Sequence, residues 1–580
     1  MAVLLAGHLR YDFGAPDYPG NDHLIFSKGH ASPLLYAMYR AAGVIDDREL
    51  LSFRKLGSRL EGHPTPRLPW VDVATGSLGL GLPAGVGMAL SARRLEHLDY
   101  RVWVLCGDSE LAEGSMWEAF EHGGYEGLAN LTAIIDVNRL GQRGETTHGW
   151  DTAAYARRIS AFGWDTIEID GHDVATIDRA YATAADTRDR PTAIIARTMK
   201  GRGVASVHNA EGAHGKPLPD AEAAIAELGG IRDITVAVHP PVAAEPLLRP
   251  GDGAGQPDLP RYKVGEKVAT RTAFGEALVA VGGARQDVVV LDGDVADSTK
   301  TEAFAKAYPD RFFECYIAEQ EMIGTALGLQ ARGWVPVAAT FAAFLTRAHD
   351  FVRMAAIGRA NLKLAGSHAG VSIGEDGPSQ MGLEDLAMFR AVHGSVVLYP
   401  CDANQTAALV AELAAHHGIG YLRTTRGNTP VIYAPGEQFQ AGGSKVLRSG
   451  NADRVTIVAA GVTVHEALAA ADALAADGIA ARVIDAYSVK PVDTQTLREA
   501  AEVTEAFVTV EDHCPEGGLG DAVLAAFANG FQLPRVTKLA AHTMPGSATP
   551  EEQLHAAGID AKAIEAAVRA LLDADQTISS

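Results

Sequence analysis

Cysteine is scarce in this 580-residue chain: Cys106, Cys315, Cys401 and Cys514 stand far apart and mostly beside apolar runs. That spacing excludes a disulfide framework and a paired-cysteine metal site, leaving buried free thiols in a reducing compartment as the expectation. Positive charge is also short, with 50 Lys and Arg against 72 Asp and Glu and a formal net charge of −22. This balance argues against nucleic acid and against an anionic membrane surface as partners. No apolar run is long enough to span a bilayer and no signal-peptide pattern is found, so a cytoplasmic protein is expected. What is present, 47% hydrophobic and 21% charged residues, suits a soluble globular protein, and the length calls for about three domains.

The stretch Val102–Gln142 carries the most information. Val102-Trp103-Val104-Leu105-Cys106 runs into Gly107-Asp108, a helix-like segment follows, and Leu131-Thr132-Ala133-Ile134-Ile135-Asp136-Val137 runs into Asn138. Both apolar runs are short and β-branched, as buried parallel strands are. A strand, crossover helix and strand put both strand ends on one edge of a sheet, where α/β folds bind ligands. Asp108 and Asn138 are therefore predicted side by side. A carboxylate, an amide oxygen and a free backbone carbonyl just beyond them make a seat for a hard cation with room left for phosphate oxygens, that is, Mg²⁺ carrying a diphosphate.

Before this stretch, Met1–Leu9 is apolar from its first residue and reads as a helix entered part-way. Leu24-Ile25-Phe26 is a predicted strand running into Ser27-Lys28-Gly29-His30, and Asp46 is a predicted helix cap. The segment Ala74–Gly85 is rich in glycine and opens a small-residue helix, a turn through which backbone amides can approach a phosphate, although such spacing serves helix packing as often. From Ala221 to Tyr262 periodicity fades, and Pro240-Pro241 and Leu248–Gly253 read as a linker. Beyond it, Val288–Asp294 and Phe313–Ile317 are predicted strands, and Gly366–Gln380 crowds polar groups on a glycine-rich loop. A third unit starts near Gly436, with strands at Val455–Gly461, Ala481–Asp485 and Ala506–Glu511 between Ala-rich helices. It shows no dense constellation and is read as a packing and dimerisation module.

Gly107-Asp108 with Asn138 thirty positions later resembles the thiamine diphosphate motif. With Ser27-Lys28-Gly29-His30, Glu61-Gly62-His63-Pro64, Ala74-Thr75-Gly76-Ser77-Leu78-Gly79, Thr198–Gly203, His214–Leu218, Asp292-Gly293-Asp294, Tyr316–Gln320, Thr340–Phe344, Gly374–Met381 and Val510–His513, the whole chain is similar to transketolase, in wording closest to the animal-type branch. The resemblance implies three α/β domains: a diphosphate- and metal-binding domain over 1–225, short at its start, a linker at 226–262, a pyrimidine-binding domain over 263–435 and a smaller C-terminal domain over 436–580. The first two share the thiamin-diphosphate-binding fold with parallel sheets.

Thiamine diphosphate works as a carbanion, and its own aminopyrimidine serves as base when a carboxyl group hydrogen-bonds the ring nitrogen. By resemblance that carboxyl is Glu319; a Glu at an apolar strand end is otherwise a costly feature. The resemblance further implies Phe344 as the aromatic beneath the pyrimidine, and Gly76, Leu78, Gly107, Gln142, Lys200 and Arg347 around the cofactor. Asp108, Asn138 and the Leu140 carbonyl are the implied ligands of Mg²⁺, or of Ca²⁺ or Mn²⁺ in its place. Arg271, Ser298, His368 and Arg426 match phosphate-binding positions, and an Arg fork suits phosphate. His30, His63, His214, Asp376 and Gln380 match positions that handle sugar hydroxyls and protons. The implied activity is ketol transfer between sugar phosphates of the pentose phosphate pathway by a homodimer with shared sites. A weakly active regulatory paralogue and a sister thiamine-dependent ketol transferase are the alternatives. Three departures from the family pattern stand out: an N-terminal segment with a further active-site His is not found, Ser109 replaces a Gly, and Leu80 replaces a Gln.

Overall fold

The β-branched runs become parallel strands. β1 (His23–Phe26), β2 (Val102–Gly107), β3 (Leu131–Val137), β4 (Asp165–Asp170) and β5 (Thr192–Arg197) form one sheet in the order β1-β2-β3-β5-β4. β2 is buried along its whole length, as a strand covered on both faces must be. The register pairs Gly107 with Asp136, which brings the residues just after β2 and β3 to a common sheet edge. This computed structural model describes all residues except Val242, 246–254, Glu505, Asn529, Ser579 and Ser580, and the side chains of 574–578. The Leu248–Gly253 part of the expected linker lies outside the described residues. Within the described part, the Val236 amide donates to Ala41 O and the Tyr11 amide donates to His239 O, both at 2.8 Å.

Contacts divide the chain into two compact units. The first comprises Met1–Arg249, Gln320–Gly333 and Ile357–Arg359; the second comprises Pro250–Glu319, Trp334–Ala356 and Ala360–Ser580. In the first unit, helix α1 (Gly81–Leu90) is the predicted small-residue helix, and every one of its residues is buried. Helix α2 (Gly114–Tyr125) is the crossover between β2 and β3. Helix α3 (Glu319–Ala331) joins the first unit from Gln320 onward. A Cβ at Gly87 of α1 would overlap the Thr325 carbonyl oxygen of α3, and one at Gly328 would overlap the Ala84 carbonyl oxygen. The two helices thus meet backbone to backbone through reciprocal glycines. Around this crossing the Glu321 amide donates to Glu118 Oε2 (3.0 Å), and His122 Nδ1 lies 2.9 Å from Glu321 Oε1. Burial opposes charge on His122, but the Glu321 carboxylate outweighs it and holds the imidazole above its ordinary value.

Gly87→Ala forces a methyl into this backbone contact. It is expected to destabilise the first unit by about 1–3 kcal/mol, the range for overpacking a tight core. Urea unfolding followed by tryptophan fluorescence checks this, because Trp70, Trp103, Trp117, Trp150 and Trp164 all belong to that unit. An unchanged midpoint would show that the helices can separate without loss.

Among the described residues, the second unit holds two further large sheets and a two-stranded antiparallel pairing of Lys267–Ala269 with Asn428–Pro430. β6 (Val288–Asp292), β7 (Phe312–Glu314), β8 (Val335–Phe341), β9 (Lys363–Ser367), β10 (Val396–Leu398) and β11 (Gly420–Arg423) run parallel, in the order β10-β11-β9-β8-β6-β7. Ser488–Lys490, from the C-terminal third of the chain, adds an antiparallel edge beside β10. The last sheet has β12 (Lys445–Arg448), β13 (Val455–Ala459), β14 (Ala481–Asp485), β15 (Ala506–Val510) and β16 (Arg535–Leu539), in the order β12-β14-β13-β15-β16 with only β12 antiparallel. One expectation needs correction. The predicted strand Phe313–Ile317 ends at Glu314, because Tyr316 turns with φ +56°, and Glu319 opens a helix instead of closing a strand. At the first turn of a helix, free N–H groups and the dipole favour a carboxylate, so burial there is less costly than at a strand end.

Cys106, Cys315 and Cys401 are buried and Cys514 is half-buried, all as free thiols. Among the described residues no helix is long and apolar enough to cross a membrane.

Candidate active site

In the first unit, the loops that leave β1, β2 and β3 enclose a cavity of about 250 Å³. His30, His63, Gly76, Leu78, Gly107, Asp108, Asn138, Leu140, Gln142, Lys200 and His214 all line it. The eleven expected residues of this half are thus brought together from positions spread over nearly two hundred residues. Backbone approaches closely at its wall: a Cβ at Gly29 would lie 2.7 Å from Gly76 N, and Gly76 itself sits at φ +128°. Only glycine serves at both places.

Asp108 Oδ2 accepts from the Arg139 amide at 2.7 Å, and Asn138 Oδ1 accepts from the Leu140 amide at 3.1 Å. The Leu140 carbonyl accepts from Lys200 Nζ at 3.0 Å, and the same ammonium lies 2.9 Å from His214 Nδ1. The donor set is therefore carboxylate, amide oxygen and carbonyl, all hard, and the carbonyl already receives a cationic group. Burial, and then the neighbouring Asp136 carboxylate, raise the Asp108 pKa against the opposing pull of Lys28. A divalent cation would relieve that penalty, so these residues fit a metal and its diphosphate. Burial and then Lys28 lower the Lys200 pKa.

The three histidines face the same space. His30 and His214 have ring centroids 4.6 Å apart. Burial, followed by Lys28, His214 and Lys200, pushes His30 down to about 4. His63 is lowered by burial and Arg54, and His214 by burial, Lys200 and Lys28. All three are neutral near pH 7 and able to accept a proton or a hydrogen bond.

In the second unit, Glu319 is 4% exposed and both its oxygens accept from Arg347 Nη1, at 3.0 and 3.1 Å. The Arg347 guanidinium stands 5.5 Å from the Phe344 ring centre. Phe344 stacks on Phe341 (5.3 Å, 4°), and Phe341 stacks on His368 (3.9 Å, 8°). His368 Nδ1 lies 2.9 Å from Ser367 Oγ, and burial with Arg271 and Arg426 pushes the imidazole down to about 3. Arg426 Nη1 is 3.3 Å from Asp376 Oδ2 and donates to Ile373 O at 3.1 Å. Arg271 Nη1 donates to the Ser298 carbonyl at 3.0 Å, so Ser298 enters through its backbone. Burial and then Arg426 lower the Arg271 pKa, the signature of two like charges held near one another. Gln380 shares the loop of Asp376, and its described hydrogen bond goes only to Ser379.

Sequence reasoning missed three residues. Glu110, 1% exposed, accepts from the Gly79 amide (2.8 Å), the Gly107 amide (3.0 Å) and the Ser27 hydroxyl, tying three cavity loops together. Lys28 pairs with Asp136, whose carboxylate also accepts from Asn138 Nδ2 at 3.0 Å and so orients the amide. The signal for Glu110 was its place two residues beyond Gly107-Asp108; Asp136 carried none beyond its strand end. The two in-motif departures are accommodated. Ser109 has right-handed helical backbone (φ −66°, ψ −33°), which any residue adopts, and Leu80 is fully buried at the start of α1.

Family models match the chain over its length: the thiamine diphosphate binding domain of transketolase at residues 1–232, the pyrimidine binding domain at 266–431 and the C-terminal domain at 442–564. The chain is 47% identical over 575 residues to transketolase-like protein 2 of Mus musculus, covering 98% of this chain and 91% of that relative. It is 47% identical over 578 residues to transketolase of Homo sapiens, covering 99% and 92%. Its fold is shared with the transketolase of Campylobacter jejuni, with a TM-score of 0.85 at 22% identity over 98% of this chain and 94% of that one. It is shared equally with the transketolase of Pichia stipitis solved in complex with sedoheptulose 7-phosphate, with a TM-score of 0.84 at 23% identity over 98% and 92%. Parallel-sheet units, one of them matching a thiamine diphosphate binding domain, define a thiamine diphosphate-binding α/β protein. The chain belongs to the transketolase family.

Proposed function

We propose that the chain catalyses reversible transfer of a two-carbon ketol unit from a ketose phosphate such as xylulose 5-phosphate to an aldose phosphate such as ribose 5-phosphate. The observation that supports this best is the first-unit cavity, where an Asp108–Asn138–Leu140 oxygen set faces three neutral histidines and Lys200. Asp108, Asn138 and the Leu140 carbonyl would hold Mg²⁺, or Ca²⁺ or Mn²⁺ in its place, and Gly76, Leu78, Gly107, Gln142 and Lys200 would surround the cofactor. When bound, thiamine diphosphate supplies the nucleophilic carbon that takes up the two-carbon unit. Glu319 would hydrogen-bond the pyrimidine ring nitrogen, Arg347 would keep that carboxylate in place, and Phe344 would offer its ring face. His30, His63 and His214 would accept and return hydroxyl protons, with Asp376 and Gln380 binding sugar hydroxyls. Arg271, Ser298, His368 and Arg426 would take the phosphate end.

This proposal keeps several features of the family resemblance: the domain limits 1–225, 263–435 and 436–580, a homodimer with shared sites, a cytoplasmic location and a pentose phosphate pathway role. A coupled assay of xylulose 5-phosphate with ribose 5-phosphate, with and without thiamine diphosphate and Mg²⁺, tests the reaction. No turnover despite measurable cofactor binding would defeat it. Arg426→Ala removes one of two neighbouring guanidinium groups. It should raise KM for phosphorylated substrates by about tenfold or more, with a smaller change in kcat. Equal losses with phosphorylated and unphosphorylated substrates would sink the phosphate assignment.

A further inference from the structure

The C-terminal segment, expected to be a packing and dimerisation module, also reaches the loop that carries Asp376 and Gln380. At the end of β15 two consecutive carboxylates part ways. Glu511 turns to its own domain and accepts from the Leu519 (2.5 Å) and Gly520 (3.1 Å) amides. Asp512, fully buried, turns the other way, and its Oδ1 accepts from the Val371 amide at 2.7 Å. Gly370, at φ +77°, lies so close above this carboxylate that a Cβ there would overlap it. The same loop is braced from β11, where Arg423 Nη2 donates to Gly382 O at 2.8 Å while Arg423 forks onto Asp385 (2.8 and 3.0 Å). Further along, a Cβ on Gly374 would lie 3.0 Å from Pro550, and one on Gly377 would lie 2.6 Å from Ser547 Oγ. Both glycines are at positive φ. The loop thus rests on the C-terminal segment at three successive glycines and is hydrogen-bonded to it at Val371.

We propose that Asp512 is a positioning residue for substrate binding: by accepting the Val371 amide it fixes the loop after His368 and so sets where Asp376 and Gln380 stand. This rests on the ketol-transfer reading of the site. A lone buried carboxylate with an ordinary structural role would stabilise the fold without biasing one kinetic constant. A loop anchor should act on substrate affinity, because the groups it places touch substrate and not the cofactor.

Asp512→Ala and Asp512→Asn in the full chain separate these roles. For the alanine variant, KM for the ketose phosphate should rise about tenfold, as for loss of one hydrogen bond to a charged acceptor, with kcat within about threefold. The thiamine diphosphate activation constant should not change. The asparagine variant retains an oxygen acceptor for Val371 and should stay within about threefold of wild type in KM. Hydrogen exchange gives a second readout: amides of residues 369–373 should exchange at least about tenfold faster in the alanine variant, with β15 unchanged. An unchanged KM with uniformly faster exchange, or with no change in exchange, would overturn the proposal. If the alanine variant does not fold, Gly370→Ala leaves Asp512 in place and drives the loop off its carboxylate. It should reproduce the KM and loop-exchange effects, and its failure to do so would equally overturn the proposal. Should wild type transfer no ketol unit, the ketol-transfer reading falls, and exchange alone still decides whether Asp512 holds the loop.

Discussion

Glu319→Gln should lower kcat by about 10²–10⁴-fold, the range for removing a positioned acid–base group. The side chain is buried at the first residue of α3, and its two oxygens share one guanidinium nitrogen of Arg347. Glutamine has the same shape and keeps one oxygen for that contact, so the geometry survives while the carboxylate is lost. Arg347 is half exposed, and water can replace what it loses. Thermal unfolding should therefore shift little while turnover collapses. Steady-state kinetics at saturating thiamine diphosphate and Mg²⁺, paired with calorimetric cofactor affinity, separates the chemical role from a binding role. Turnover within about tenfold of wild type would remove Glu319 from the proposed chemistry.

The second large effect belongs to Asp108. Asp108→Ala deletes the single carboxylate of the oxygen set and also frees the Arg139 amide that it accepts. Loss of supporting groups around a metal weakens binding by about 10–100-fold, and loss of a direct ligand should exceed about 100-fold. The apparent thiamine diphosphate affinity in the presence of Mg²⁺ should fall accordingly. The check needs no turnover: wild type should gain thermal stability on adding both, because ligand bound only to the folded state stabilises it. The variant should lose most of that gain. An equal gain in both proteins would place the metal elsewhere.

Much of this site is written locally in the sequence. Gly107-Asp108 and Asn138 stand at the ends of two apolar runs, and parallel pairing of neighbouring strands then leaves few places for them. The glycine-flanked histidines His30, His63 and His214 gathered in one cavity as the motifs suggested. The supports were harder to read. Glu110 reaches the Gly79 amide, 31 residues away in sequence, and Lys28 meets Asp136 across the sheet. No local pattern encodes such contacts. The run through Phe313–Ile317 has strand composition throughout, but a left-handed Tyr316 ends the strand early, and composition is blind to that turn. In the C-terminal third the strands followed the β-branched runs closely. Asp512 stood within the Val510–His513 motif without a role, because a carboxylate after a strand carries no signal until its partner amide at Val371 is in view.

The reciprocal glycine crossing of α1 and α3 also has a temporal side. The first unit takes in Gln320–Gly333, so its polypeptide is incomplete when Arg249 leaves the ribosome. Roughly 80 more residues must be made before that helix arrives, about 4–16 s at 5–20 residues per second. Through that interval the Gly87 face of α1 has no partner helix, while its other sides rest on β2 and α2, which are already made. Nascent chains of this protein therefore offer chaperones a defined window and a defined surface, both closed when α3 emerges.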